Sequence, residues 1–319
     1  MNEMIRQIEK IGIVPVVVLD EAEKAVDTAR ALREGGIDCA EVTFRTEAAA
    51  ESIERITDAF PDMIVGAGTV LTCQQVDRAV AAGAKFIVTP GYNPRVVNYC
   101  IEKNLPVVPG CMDTASIERA LEAGLDTVKF FPAEAAGGLP MLKALSGPYG
   151  NLKFMPTGGV NEKNLTEYLS FSKVVACGGS WMVKPALIKE NRFEEITQLT
   201  RDAVGKMLDF EVMHVGINCE NEEDARRTAD CFTSLFGFSQ REGTSSIFAG
   251  RGIEVTKRRF PGTCGHIAVG TASVERAVYY LQRQGVKFAM DTGKYENGKL
   301  KAIYLEEEPG GFAVHLVQK

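Results

Sequence analysis

The strongest constraint on this chain is an alternation. Over residues 1–208, short runs rich in β-branched residues alternate with Ala- and Glu-rich segments of helical periodicity. The runs are Ile11–Leu19, Cys39–Phe44, Ile64–Val70, Phe86–Pro90, Pro106–Gly110, Thr127–Pro132, Phe154–Gly159 and Val174–Gly179, eight in all. Helical segments such as Ala22–Gly35, Thr46–Ala59, Cys73–Ala82, Pro94–Lys103 and Ala115–Ala123 lie between them. Gly35, Gly83 and Gly124 stand at or just past the helical pattern, where helices commonly stop. The runs are continuously apolar, as strands covered on both faces should be. Eight strand–helix units of roughly 20–25 residues predict an α/β fold, a (β/α)8 TIM barrel. The competing doubly wound sheet usually carries G-x-G-x-x-G after its first strand, and Leu19-Asp20-Glu21-Ala22 offers nothing of the kind.

The texture changes near Leu208–Phe210, after a helical stretch over Phe193–Met207, with no Gly/Ser or Pro linker. The chain has 319 residues, enough for two domains at roughly 100–200 residues each. We place them at 1–208 and 209–319. The second part is expected to be an α+β domain of two β-α-β-β-β modules. One runs from a strand at Met213–Asn218 through a helix at Glu222–Leu235 to strands ending at Ile253–Lys257. The other runs from His266–Gly270 through Val274–Gln284 to Phe312–Val317. Residues 1–208 carry 27 acidic and 22 basic side chains, and 209–319 carry 15 and 14, so the net charge of −6 sits mostly on the first part. An acidic chain argues against a nucleic-acid partner. The longest apolar stretch, around Ile11–Leu19, is too short to span a bilayer, and the start shows no signal peptide. The eight cysteines form no C-x-x-C pair and read as reduced thiols of a cytoplasmic protein.

Chemistry in a barrel gathers at the C-terminal ends of the strands. The sixth run, Thr127-Val128-Lys129-Phe130-Phe131-Pro132, places a lysine inside an apolar strand. Burial disfavours an ammonium, and a neutral amine is the nucleophile that forms a Schiff base with a ketone. A lysine that merely snorkels is the competing reading. On the second run Glu41 and Thr43 share a face, and Glu41 becomes an inward carboxylate suited to general acid–base work. A buried structural ion pair between Glu41 and Lys129 remains open. Arg45, just past that run, could clamp a carboxylate. Runs seven and eight end in Thr157-Gly158-Gly159 and Gly178-Gly179-Ser180, each expected to lead into a helix. Paired glycines there fit a phosphate cradle, because backbone N–H groups approach an anion closely only where no Cβ intervenes.

These motifs, in this order and spacing, resemble the 2-keto-3-deoxy-6-phosphogluconate (KDPG) and 4-hydroxy-2-oxoglutarate (KHG) aldolase family. The resemblance spans essentially all of 1–208. It rests on Pro15-Val16-Val17, Glu41–Thr46, Gly66–Leu71, Thr89-Pro90-Gly91, Val128–Glu134, Pro156–Val160 and Gly178–Trp181. It implies Lys129 as the Schiff-base lysine and Glu41 as the general acid–base. It also implies Arg45, Thr69, Pro90 and Thr157 around the keto-acid end, with Gly158, Gly159, Gly179 and Ser180 at the phosphate. Tyr92 stands where an aliphatic residue is expected. The family implies a homotrimer, a small keto-acid substrate and no cofactor. A non-catalytic phosphate-binding barrel with a metal-free interaction module is the alternative.

The chain has three histidines, none before residue 209. His214 and His266 fall on the first strand of each module. His315 lies on the last strand of the second module, where the first has Glu254. Four N/O ligands in one cleft would suit Zn²⁺, Mn²⁺, Fe²⁺, Co²⁺ or Ni²⁺. The arrangement resembles the glyoxalase / vicinal-oxygen-chelate superfamily over about Phe210–Lys319, a group that more often has a carboxylate at the position of His315. The fold does not choose a reaction, so a second enzyme acting on a related keto or hydroxy acid stays open. Lys257-Arg258-Arg259 reads as a solvated charge run.

Overall fold

The computed structural model describes residues 2–319. The chain separates into two compact units, one through Met207 and the other Leu208–Lys319. The first opens with helix α1 (Glu3–Ile11), capped by Asn2, whose side chain accepts from the Met4 N–H. Sequence patterning merges Ile11 with the first strand. In the structure Ile11 closes α1, and β1 begins only at Ile13 (Ile13–Val17).

The unit continues α2 (Ala25–Glu34), β2 (Cys39–Thr43), α3 (Ala49–Ala59), β3 (Ile64–Gly68), α4 (Cys73–Ala81), β4 (Phe86–Val88), α5 (Pro94–Glu102) and β5 (Val107–Val108). It then runs α6 (Thr114–Glu122), β6 (Thr127–Phe130), α7 (Gly138–Ser146), β7 (Lys153–Pro156), α8 (Leu165–Ser170), β8 (Cys177–Gly179), α9 (Pro185–Lys189) and α10 (Phe193–Leu208). The eight strands are parallel neighbours in a curled sheet. Six pair in the order β5-β4-β3-β2-β1-β8, and β6 pairs with β7. Single bridges join Gly110 to Lys129, Phe154 to Val174 and Thr157 to Gly178. Every residue of β1, β2 and β3 is buried, so these strands are covered on both faces. The expected strand at Val174–Gly179 is shorter than its apolar run, because Val174 meets its neighbour only through the bridge to Phe154.

Helix starts follow local chemistry. Thr72 and Asp113 accept from the N–H groups of Gln75 and Ser116, and Asn93 precedes Pro94 at the start of α5. The stop at Gly35 differs from expectation. Gly35 is still right-handed, and Gly36 (φ 107°) takes the left-handed turn. Gly35 has a different reason to lack a side chain, since a Cβ there would lie 2.4 Å from Thr200 on α10.

The second unit is β9 (Glu211–Asn218), α11 (Glu222–Phe236), β10 (Gln240–Glu242), β11 (Ser246–Ala249), β12 (Ile253–Thr256), β13 (Gly265–Thr271), α12 (Val274–Arg283), β14 (Phe288–Glu296), β15 (Lys299–Leu305) and β16 (Phe312–Gln318). Its strands form one sheet in the order β10-β11-β12-β9-β13-β16-β15-β14. Helix α11 buries Ala225 and Ala229 against Ile247 and Val255 on one face of that sheet. Among the described residues no helix is long and apolar enough to cross a membrane, and no disulfide joins any of the eight cysteines.

Gly66 on β3 shows how tightly the first unit is filled: a Cβ there would sit 2.3 Å from the Phe86 ring. Overpacking of this kind typically costs about 1–3 kcal/mol. Gly66→Ala is therefore expected to lower the unfolding midpoint read by fluorescence of Trp181, the chain's single tryptophan, which reports on this unit alone.

Candidate functional sites

Lys129 on β6 and Glu41 on β2 meet inside the curled sheet. The Lys129 Nζ lies 3.1 Å from Glu41 Oε1, with side chains 6% and 0% exposed. The ammonium nitrogen is also 5.3 Å from the centroid of the Phe131 ring. The other carboxylate oxygen, Glu41 Oε2, and the hydroxyl of Thr43 are buried without a hydrogen-bond partner among the described residues. Unpaired buried polar atoms are uncommon and need a reason. Here one belongs to the carboxylate that meets the Lys129 amine, and the other lies two residues along β2 on the same face. Gly68 on β3 makes the arrangement possible, because a Cβ there would lie 2.2 Å from Glu41 Oε1.

The other residues singled out from sequence lie at or just past the C-terminal ends of their strands, Gly179 closing β8. Arg45, beyond β2, is exposed and makes no side-chain hydrogen bond or ion pair among the described residues. Thr69 follows β3 with φ 55°, and Pro90 follows β4 half-buried. Thr157, just beyond β7, is 5% exposed, and Gly178 leaves room for its hydroxyl, since a Cβ at 178 would be 2.3 Å from Oγ1. Gly158 and Gly159 have φ of 96° and 82°, conformations that side chains other than glycine rarely adopt. Among the described residues, the N–H groups of Gly158, Gly159 and Ser180 donate to no protein acceptor. The glycine pairs do not lead straight into helices as expected. Turns intervene, and α8 and α9 begin only at Leu165 and Pro185. Tyr92 is tied to α6, its hydroxyl donating to the Arg119 carbonyl at 3.1 Å. A cleft of about 330 Å³ elsewhere is lined in part by Asn2, Ile5 and Leu105, with Asp126 as the one ionisable side chain in its lining.

In the second unit, four adjacent central strands each contribute one polar side chain. Glu254 on β12 and His266 on β13 both stand opposite Gly216 of β9, while His214 on β9 and His315 on β16 both stand opposite Ala268. The four therefore share one face. Glu254 Oε2 is 2.9 Å from His214 Nε2 and 3.0 Å from His266 Nε2, and the two imidazole nitrogens are 3.2 Å apart. One ligand atom from each of the three histidines fits within a 4.8 Å spread. Gly216 gives the cluster its space, because a Cβ there would overlap the His266 ring at 1.9 Å. His315 stacks on Tyr304 at 4.7 Å, and its Nε2 is buried without a partner among the described residues. Burial, with His266 and His214 beside it, pushes the His315 imidazole down to about 4. Burial alone would raise the Glu254 carboxyl, but hydrogen bonds from His214, His266 and Ser246 hold it well below the usual carboxylate range. A carboxylate held ionised beside three imidazoles is a donor set that fits a divalent cation.

Residues 4–199 match the family model for KDPG and KHG aldolase. The chain belongs to that family. It is 48% identical over 204 residues to the 2-dehydro-3-deoxy-phosphogluconate aldolase of Treponema pallidum, covering 64% of this chain and 97% of that protein. It is 40% identical over 192 residues to the KHG/KDPG aldolase of Escherichia coli, covering 60% and 90%. Among solved structures, a KDPG aldolase from Legionella pneumophila, with pyruvate captured as a covalent carbinolamine intermediate, superposes with a TM-score of 0.61 and 40% identity. That match covers 62% of this chain and 97% of the other. Residues 214–316 match the model for the glyoxalase/bleomycin resistance protein/dioxygenase superfamily. The chain is thus an aldehyde-lyase of the Schiff-base type with a glyoxalase-like second unit.

Sequence reasoning missed the Phe131 ring beside Lys129, the unpartnered Thr43 hydroxyl, and Tyr304 stacked on His315. The Tyr304 contact depends on cross-strand register, which a single sequence does not display, whereas Phe131 stands two residues from Lys129 and Thr43 two from Glu41, so period-two alternation could have flagged both. The aldolase unit also makes a sharp demand at Gly68. Gly68→Ala is expected to displace the Glu41 carboxylate and to lower the cleavage rate about 10²-fold, the scale of a 1 Å misplacement. Steady-state pyruvate release measures it.

Proposed function

We propose that residues 1–208 form a (β/α)8 barrel with class I aldolase activity. It cleaves KDPG to pyruvate and glyceraldehyde 3-phosphate, or KHG to pyruvate and glyoxylate. The observation that carries this reading is the buried Lys129–Glu41 pair, 3.1 Å apart on opposed strands. A purely structural pair would leave no reason for the unpartnered Glu41 Oε2, or for the unpartnered Thr43 hydroxyl on the same face of β2. The curated relatives named for both substrates support the choice of keto acids. The chemistry follows from the geometry. Their hydrogen bond lets Glu41 take a proton from the Lys129 ammonium, freeing the amine to attack the C2 ketone. Glu41 returns that proton to the carbinolamine hydroxyl, which leaves as water; the resulting protonated imine accepts the electron pair of the breaking C3–C4 bond as an enamine, and Glu41 is again a carboxylate. Glu41, directly or through a water, takes the C4 hydroxyl proton as the aldehyde leaves. It then returns a proton to C3, and hydrolysis releases pyruvate and the lysine. Arg45, Thr69, Pro90 and Thr157 surround the carboxylate end. Gly158, Gly159 and Ser180 offer the phosphate their backbone N–H groups, with Gly179 beside them at the end of β8. This route needs no metal. We take the enzyme to be cytoplasmic, as its unpaired cysteine pattern suggests, and a homotrimer, as the family resemblance implies.

For residues 209–319 we propose two β-α-β-β-β modules that together hold one divalent cation, Zn²⁺, Mn²⁺, Fe²⁺, Co²⁺ or Ni²⁺. The ligands are His214, Glu254, His266 and His315, whose convergence and the side-chain-free space at Gly216 support the reading. A cation bound there would supply Lewis acidity. Glu254 keeps the site charge-complementary, and Tyr304 fixes the His315 ring.

Two measurements check these readings. Lys129→Met should reduce pyruvate release from either keto acid by about 10³-fold or more, and Glu41→Gln by about 10²–10⁴-fold. Near-normal turnover in either variant would sink the aldolase assignment. Full-length protein equilibrated with Co²⁺ or Zn²⁺ should retain one ion per chain, and His266→Ala should lose it. Equal retention by the variant would leave the cluster a hydrogen-bonded structural group.

A further inference from the structure

The sixth-strand motif includes Glu134, which neither the Schiff-base chemistry nor the anion loops use directly. Its surroundings nevertheless tie it to those loops. The N–H of Ala133 donates to the Thr157 carbonyl at 2.8 Å, and the N–H of Glu134 to the Gly158 carbonyl at 3.0 Å. In a trans peptide the carbonyl and the following N–H point opposite ways. Fixing those two carbonyls therefore aims the N–H groups of Gly158 and Gly159 away from the 133–134 segment. These are the N–H groups with no protein acceptor among the described residues. The Gly159 carbonyl is held in turn by the side-chain amides of Asn161 (2.9 Å) and Asn164 (3.2 Å).

The Glu134 side chain fixes the segment that does this aiming. Its carboxylate accepts a short hydrogen bond from the hydroxyl of Tyr168 on α8, which is 1% exposed. Its Cβ and Cγ lie where a side chain at 159 would begin, 2.6 and 2.5 Å from an added Cβ. Gly159 thus packs directly on Glu134. A carboxylate beside an anion site is unfavourable as a charge, so its placement needs a positional explanation.

We propose that Glu134, anchored by Tyr168, is a positioning residue that sets the preference for phosphorylated over unphosphorylated keto acids. The inference rests on the reading that the Gly158-Gly159 loop holds the substrate phosphate. The test compares KDPG with 2-keto-3-deoxygluconate, the same keto acid without its phosphate, on the full chain. Glu134→Ala and Tyr168→Phe should each raise KM for KDPG about tenfold, the scale of one positioned hydrogen bond, and leave kcat within about twofold. Kinetic constants for 2-keto-3-deoxygluconate should stay near wild type, which also reports that the variants are folded. Glu134→Gln, whose amide oxygen still accepts from Tyr168, should behave as wild type.

Equal losses on both substrates, or no change on either, would overturn the proposal. So would a lower KM for KDPG in both Glu134 variants, which would show that the carboxylate acts by repulsion. Wild-type enzyme that does not discriminate between the two substrates would remove the phosphate reading itself and this inference with it. Wild-type discrimination that survives in Glu134→Ala and Tyr168→Phe would remove this inference alone.

Discussion

The candidate site of the first unit is arranged around one buried contact, Lys129 to Glu41. Moving an ammonium and a carboxylate out of water carries a desolvation penalty of several kcal/mol per ion, which a single hydrogen bond rarely offsets. Such a pair is weak evidence for stability. Its surroundings are arranged around it all the same. Gly68 has no side chain, so Glu41 fits, and the Phe131 ring faces the amine. The strands that carry the two residues sit on separate parts of the sheet order, β2 in the six-stranded ladder and β6 in the two-stranded one. Only a sheet that curls brings them together. The fold and the chemistry are in this sense one constraint.

Much of this was legible in the amino-acid sequence because the relevant signals are local. Continuous apolar runs mark strands buried on both faces, and all eight runs contain a strand or its bridge. Lys129 stands out because an ammonium in such a run is anomalous, and Glu41 because period-two alternation turns it inward. The misses have equally local causes. Ile11 is apolar in either state, so patterning could not separate the end of α1 from β1. Gly35 and Gly36 are adjacent, and only packing against Thr200 tells which must lack a side chain and which must turn left-handed. The Glu134–Tyr168 contact joins residues 34 positions apart through loop geometry, and no periodicity encodes it.

The second unit shows the same logic with different chemistry. Its histidines are ordinary strand residues by pattern, and what distinguishes them is register. Glu254, His214, His266 and His315 occupy four neighbouring strands on one face, and Gly216 clears the space between them. A repeated strand–helix–strand order made that convergence foreseeable, because corresponding strands of two halves meet at the centre of the sheet.

The central claim is that Lys129 is a nucleophile and more than half of an ion pair. Borohydride reduction of the full chain in the presence of pyruvate tests it most directly, with peptide mass spectrometry to locate the adduct. The account predicts one stable reduced adduct on the peptide containing Lys129, absent in Lys129→Met and still formed in Glu41→Gln. Wild-type protein that carries no adduct, or carries it on another lysine, would contradict it.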